Sequence, residues 1–325
     1  MLMPVLDSTS YLPPRWQFNG HLQTIIPSLF RRVDGIAYRR ERIFTPDSDF
    51  LDLDWASVRS DKLVVVSHGL EGSTDRHYVK GMAKAFNAAG WDALAWNCRS
   101  CSGEMNRLAR FYHHGDAIDL ETVVRHAADK GGYGEIALVG FSMGGSMTLR
   151  LLGEKGSEVL PVIRKAVAIS VPCDLVTSVV HLSKPGNRFY ARRFIRKLGR
   201  KIRAKADLFP DQISYQHFNK VKAFKDFDDR YTAPLHGFRN AEDFYRQASV
   251  KPYLPHVRVP SLIINARNDP FLTPDCFPVA EAEANPYLFL EMPVQGGHVG
   301  FSAPDGTNWA ETRTLAFVLD QNVKG

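Results

Sequence analysis

Ser142 lies in Gly140-Phe141-Ser142-Met143-Gly144, between an apolar run, 136–139, and apolar residues at helical spacing, Met147, Leu149, Leu151 and Leu152. One serine between glycines at such a joint suits a nucleophile on a tight strand-to-helix turn. Its neighbours must be small, and a helix N-terminus behind it favours developing negative charge. A plain packing turn would use the same glycines. A hydroxyl needs a base to become a nucleophile. Among eleven histidines, His298 in QGGHVGF follows the last strand-like run, in a glycine-rich loop that can carry its ring over a sheet edge. The imidazole then needs an acceptor for its other nitrogen. Asp269 in INARNDPFLTP follows the run 260–266 and precedes Pro270; Asp275 is the alternative acid. An Asx turn is the other common use of such an aspartate. Two amides must face the charge of a tetrahedral intermediate. Met143 is placed to give one, and Leu70, in His68-Gly69-Leu70-Glu71-Gly72-Ser73, the other. Each part alone is ambiguous; their common position at strand ends favours acyl-transfer chemistry.

The elements that must carry these residues read as follows. Leu51, Leu53 and Trp55 alternate with Asp52 and Asp54, the period of a half-exposed strand. Short β-branched or apolar runs follow at 62–69, 91–97, 135–140, 165–170, 260–266 and 287–292. Helical patterns fall between them, at 76–89, 116–130 and 144–154. This alternation predicts an α/β fold with a mostly parallel central sheet and helices on both faces. Residues 174–257 hold no buried-strand pattern and read as a helical cap or lid insertion. The core then comprises 35–173 and 258–325, preceded by an N-terminal arm, 1–34, with little regular pattern.

The 325 residues are 44% hydrophobic, ample for a buried core. Four cysteines are too few and too scattered for a disulfide framework. Cys98-x-x-Cys101 lacks the second pair that a zinc site needs. No signal-peptide pattern and no apolar run of about 20 residues occurs, so a cytoplasmic protein is expected. The net charge of +6 is local: 188–205 holds nine Lys and Arg and no acid, and the rest of the chain is slightly acidic. Within this run Ala191, Phe194, Ile195, Leu198 and Ile202 share one helical face. A cap helix with a solvated basic exterior and a face attracted to anionic membrane both fit; nucleic acid fits poorly, because no recognition fold accompanies the charge.

GHLQTIIPSLFRR, HGLEGS, CSGEMNR, GFSMGGS, FDDRYTAPLHGF and GGHVGF together resemble the YheT-like branch of the α/β-hydrolase superfamily, related to the animal ABHD lipid and ester hydrolases. The resemblance spans about residues 17–315. It implies the α/β-hydrolase fold and a serine hydrolase with the triad Ser142, Asp269 and His298. It also implies small-molecule carboxylic ester substrates, acylglycerols or other lipid-like esters among them, and a structural role for the Cys98 and Cys101 region. No metal or organic cofactor is expected. Two positions depart from the branch's pattern: Ser100 replaces a glycine and Met105 a proline. A thioesterase or amidase on the same triad, and a non-catalytic binding protein of the same fold, are the competing readings.

Overall fold

The computed structural model describes residues 5–6, 11–130 and 132–321; residues 1–4 and 7–10 of the expected arm lie outside them. Among the described residues the chain forms one nine-stranded sheet, in the order β1-β9-β8-β7-β6-β4-β5-β3-β2. The strands are β1 (Val5–Leu6), β2 (Arg39–Phe44), β3 (Phe50–Ala56), β4 (Lys62–Ser67), β5 (Asp92–Asn97), β6 (Glu135–Phe141), β7 (Ile163–Ile169), β8 (Ser261–Ile264) and β9 (Leu288–Glu291). All neighbours pair parallel except β2 with β3 and β3 with β5. Strands buried on both faces read as continuous apolar runs, and β4 shows why. Leu63 and Val65 enter one core, and Val64 and Val66 enter the other, on the opposite face.

Helices α1 (Gly20–Phe30), α2 (His77–Ala88), α3 (Ile118–Lys130) and α4 (Met143–Lys155) precede or connect these strands. Between β7 and β8 come α5 (Leu175–Leu182), α6 (Arg188–Leu208), α7 (Phe224–Phe227), a π-helical turn at Asp228–Thr232, α8 (Ala233–Leu235) and α9 (Ala241–Ala248). Helices α10 (Val279–Ala284) and α11 (Trp309–Leu319) complete the chain. No described helix is long and apolar enough to cross a membrane.

Three local expectations differ from the structure. The arm contains α1, capped by Asn19, whose side chain accepts from the Leu22 amide at 2.9 Å. Strand β3 is buried along its whole length, Asp52 and Asp54 included. Its carboxylates are covered because β2 runs beside them in register, placing Arg42 opposite Asp52 and Arg40 opposite Asp54. Each arginine grips its partner with two hydrogen bonds of 2.7–2.9 Å. Burying a carboxylate is tolerable when it is paired in this way. Strand β2 itself, RRERIF, has no apolar alternation to announce it.

The third difference concerns the basic run. Helix α6 does bury Ala191, Ile195, Leu198 and Ile202. Its lysines, however, do not all face water. Lys197, Lys201 and Lys205 follow one another at i, i+4 and i+8 and turn onto the body of the molecule. Lys201 Nζ lies 2.7 Å from Glu71 Oε1, and Lys205 Nζ donates to the Leu108 carbonyl at 2.6 Å. Arg192, Arg196, Arg200 and Arg203 stay exposed.

Candidate active site

Strand order reverses at β4, whose neighbours β5 and β6 lie on opposite sides of it. Crevices at such a switch point, beyond the carboxyl ends of parallel strands, are where open α/β sheets bind ligands. The 68–72 loop leaves β4 there, and Ser142 leaves β6 beside it. Ser142 has φ 53° and ψ −118°, a strained left-handed conformation that lifts the side chain out of the turn. The turn closes only around glycine. A Cβ on Gly140 would stand 2.3 Å from the Gly144 carbonyl oxygen, and one on Gly144 2.4 Å from that of Ser67.

The structure brings Ser142, His298 and Asp269 together from the ends of β6, β9 and β8. His298 Nε2 lies 2.9 Å from Ser142 Oγ, and His298 Nδ1 lies 2.8 Å from Asp269 Oδ2. Asp269 Oδ1 accepts from the Phe271 amide at 2.8 Å, so the same carboxylate also makes the Asx-type turn. The Phe271 ring stacks on His298, with centroids 4.0 Å apart. Asp275 is exposed, in a 3-10 turn at Pro274–Cys276, and makes no contact with His298.

The 68–72 loop is held from several sides. His68 is fully buried; its Nδ1 donates to the Gly69 carbonyl at 2.7 Å, and its Nε2 accepts from the Cys98 amide at 3.1 Å. Burial holds this imidazole neutral, its pKa pushed down to about 4. The Gly69 amide donates to Tyr78 Oη and the Glu71 amide to Tyr112 Oη, each at 3.2 Å. Between them the Leu70 amide has no acceptor among the described residues. Met143 opens α4, where a helix leaves its first amides unpaired. Both residues therefore have N–H groups to spare beside Ser142.

Three further residues were not among the sequence candidates. Gln23 of α1 is fully buried, and its Oε1 accepts from Asn268 Nδ2 at 2.9 Å and from the Gly296 amide at 2.8 Å. Thr24 Oγ1 accepts from the His298 amide at 2.8 Å. Asn268 Oδ1 accepts from the Gly297 amide at 3.0 Å. Helix α1 and Asn268 thus tie the Asp269 loop to the His298 loop. The signal available in sequence was the motif GHLQTIIPSLFRR, which carries no chemistry by itself.

Two cavities meet at Ser142 and His298. One is lined by apolar and aromatic side chains from 111–114 and from the segment between β7 and β8, Leu175, Phe194, Phe227 and Phe244 among them. The other opens between α1 and α6 and is lined by Ile25, Ser28, Leu29, Arg76, Arg193 and Lys197, among others. Cys98 and Cys101 are free thiols, the first buried and the second partly so, with Lys201 Nζ 3.0 Å from the Cys101 sulfur. No group of three or more His, Cys, Asp or Glu able to hold a metal occurs among the described residues. Ser100, where the resembling branch has glycine, takes φ 61°. Its hydroxyl donates to Asn106 Oδ1 at 2.5 Å and accepts from the Asn106 amide at 3.1 Å, holding the unusual conformation from within the loop.

Comparison with known proteins adds to this geometry. The sequence model of the Alpha/beta hydrolase family matches residues 63–310. The YheT protein of Escherichia coli is 36% identical over 301 residues, covering 91% of this chain and 88% of its own length. Phospholipase ABHD3 of Homo sapiens is 29% identical over 310 residues, covering 92% of this chain and 75% of that protein. Monoacylglycerol lipase of Saccharomyces cerevisiae is 27% identical, covering 87% of this chain and 64% of that protein. Among solved structures, the Pyrococcus furiosus esterase Pf2001 has a TM-score of 0.60 at 21% identity, covering 89% of this chain and 96% of that one, a likeness of fold.

Proposed function

This chain belongs to the alpha/beta hydrolase family, and on that premise we propose that it cleaves carboxylic esters by two-step acyl transfer. Ser142 Oγ attacks the ester carbonyl as His298 Nε2 takes its proton. Asp269 fixes the ring's tautomer and stabilises the imidazolium. The Leu70 and Met143 amides receive the oxyanion, each worth about 3 kcal/mol in the transition state. His298 then returns the proton to the departing alcohol. Water, activated by the same ring, cleaves the acyl-enzyme and regenerates Ser142. The helices at 174–257 act as a cap, and the apolar cavity they line takes the acyl chain.

The observation that supports this reading most is the relay itself: two contacts of 2.9 and 2.8 Å join Ser142, His298 and Asp269 at the mouth of an apolar cavity. Labelling with a fluorophosphonate tests it. The wild type should be modified at Ser142 and Ser142→Ala should not; an unreactive wild type would favour a binding protein on this fold. A series of p-nitrophenyl esters, with one thioester included, would then rank acyl length and acyl bond. Contact of the exposed arginines of α6 with an anionic membrane is a separate proposal. Liposome flotation decides it, and equal, negligible binding with and without anionic lipid removes it.

A further inference from the structure

The two cavities that share Ser142 differ in chemistry. The first presents aromatic and aliphatic side chains and histidines kept neutral: burial pushes His114 down to about 4 and holds His113 well below its ordinary range. The second collects cations. Arg76 enters it from the turn before α2, and Arg193 and Lys197 enter it from successive turns of α6. Arg76 Nη2 and Lys197 Nζ each donate to the same oxygen, the Glu71 carbonyl, at 3.2 Å, so the two charges stand side by side.

No described carboxylate forms an ion pair with any of the three: none lies within 4.0 Å of Arg76, Arg193 or Lys197. The two nearby acids are engaged elsewhere. Glu71 turns its carboxylate to Lys201 and to Tyr112, whose hydroxyl donates to it at 2.5 Å, and Asp75 pairs with Lys80 at 2.8 Å. Burial, then the neighbouring Arg76 charge, hold the Lys197 ammonium down to about 8. Like charges gathered in a cleft without an internal counter-ion raise the local potential and draw anions in. His77 lines the same space, and its Nδ1 is buried with no hydrogen-bond partner among the described residues.

We infer that the cavity between α1 and α6 is a subsite for an anionic group, phosphate or carboxylate, carried on the alcohol portion of the ester. The inference rests on the hydrolase reading and adds the direction in which substrate lies. The acyl chain occupies the aromatic cavity, and the charged leaving group occupies the basic one. Both cavities border His298, which must protonate the leaving oxygen. Ser28, on the α1 wall, supplies a hydroxyl that can donate to the same anion.

The test compares 1-butyrylglycerol 3-phosphate with 1-butyrylglycerol, alongside oleoyl versions of both in mixed micelles. The wild type should favour the phosphate ester by about ten-fold or more in kcat/KM, the scale of one charge-assisted contact. The ratio of anionic to neutral rates should collapse toward one in Arg193→Gln, an exposed position safe for folding, and in Lys197→Met. A preference in the monomeric pair assigns the site to soluble anionic esters; a preference confined to micelles assigns it to a lipid headgroup. An equal rate on both esters in the wild type, or a ratio unchanged in both variants, overturns the subsite. Titration calorimetry with glycerol 3-phosphate against glycerol reads the same site without turnover. Fluorophosphonate labelling with no preferential glycerol 3-phosphate binding overturns the subsite alone, whereas loss of labelling overturns the hydrolase reading.

Discussion

Asn268 donates to Gln23 across 2.9 Å, joining the residue beside Asp269 to a helix from the start of the chain. Gln23 spends its remaining capacity on the Gly296 amide and on the Gln17 and Gln295 oxygens. One buried amide group therefore spans both loops that carry the relay. Replacing Gln23 by Ala leaves the Gly296 amide unpaired, at a cost of about 1–3 kcal/mol. The His298 loop loses its anchor, and a displacement of the ring of about 1 Å is worth about 10²-fold in rate. The expected result is a fall in kcat with KM little changed, read by steady-state kinetics on one ester. A variant with wild-type kcat would show that the loops hold themselves.

Asp269→Asn keeps the Oδ1 acceptor for the Phe271 amide but presents an NH2 group to His298 Nδ1. The ring is driven to the tautomer that cannot take the Ser142 proton. By analogy with the same change in the serine-protease triad, kcat should fall about 10⁴-fold. The thermal midpoint should stay near that of the wild type. A loss below ten-fold would mean that another group orients His298.

Arg99 is 2% exposed and meets Asp47, Asp49 and Asp119 at 2.7–3.0 Å. These contacts tie the segment after β5 to the start of β3 and to α3. Arg99→Met would strand two buried carboxylates and should cost about 3–5 kcal/mol, measured by urea unfolding. A loss near 1 kcal/mol would mean that other donors, such as Asn106 Nδ2 and the Arg107 amide at Asp49, suffice to hold them.

Asp228 lines the aromatic cavity, accepting from Thr232 Oγ1 at 2.5 Å and Tyr245 Oη at 2.7 Å. Burial raises its pKa from 3.8 to about 7, the two hydroxyls opposing the shift. The folded chain thus keeps a proton that the unfolded chain releases. Stability should decline as pH rises through that window and level off above it. Asp228→Asn removes the titration. Its thermal midpoint, relative to the wild type, should rise between about pH 5 and about pH 8. A difference independent of pH would mean that Asp228 is ionised throughout.

The part of this molecule that sequence reading reached is the part built from local signals. Ser142, Asp269, His298 and Leu70 each follow a β-branched or apolar run, and a residue just past such a run lies at the carboxyl edge of a sheet. Helix α1, strand β2 and the lysine stripe of α6 were out of reach for the opposite reason. Three of the four partners of the Gln23 side chain lie more than 240 positions away, and RRERIF is a strand because Asp52 and Asp54 lie beside it. Asp52 and Asp54 read as solvent-facing for the same cause: alternation reports polarity, and the counter-charges that permit burial come from another strand. Lys201 and Lys205 looked solvated because helical periodicity cannot say what stands opposite a face.

The Lys201–Glu71 contact links the long helix over the site to the backbone that presents the Leu70 amide. If α6 belongs to the cap proposed above, a swing of it away from the body would drag that loop or break the ion pair, and either event would disturb the proposed oxyanion donors. On that reading, admission and competence would be geared to each other: raising the roof would also disarm the site.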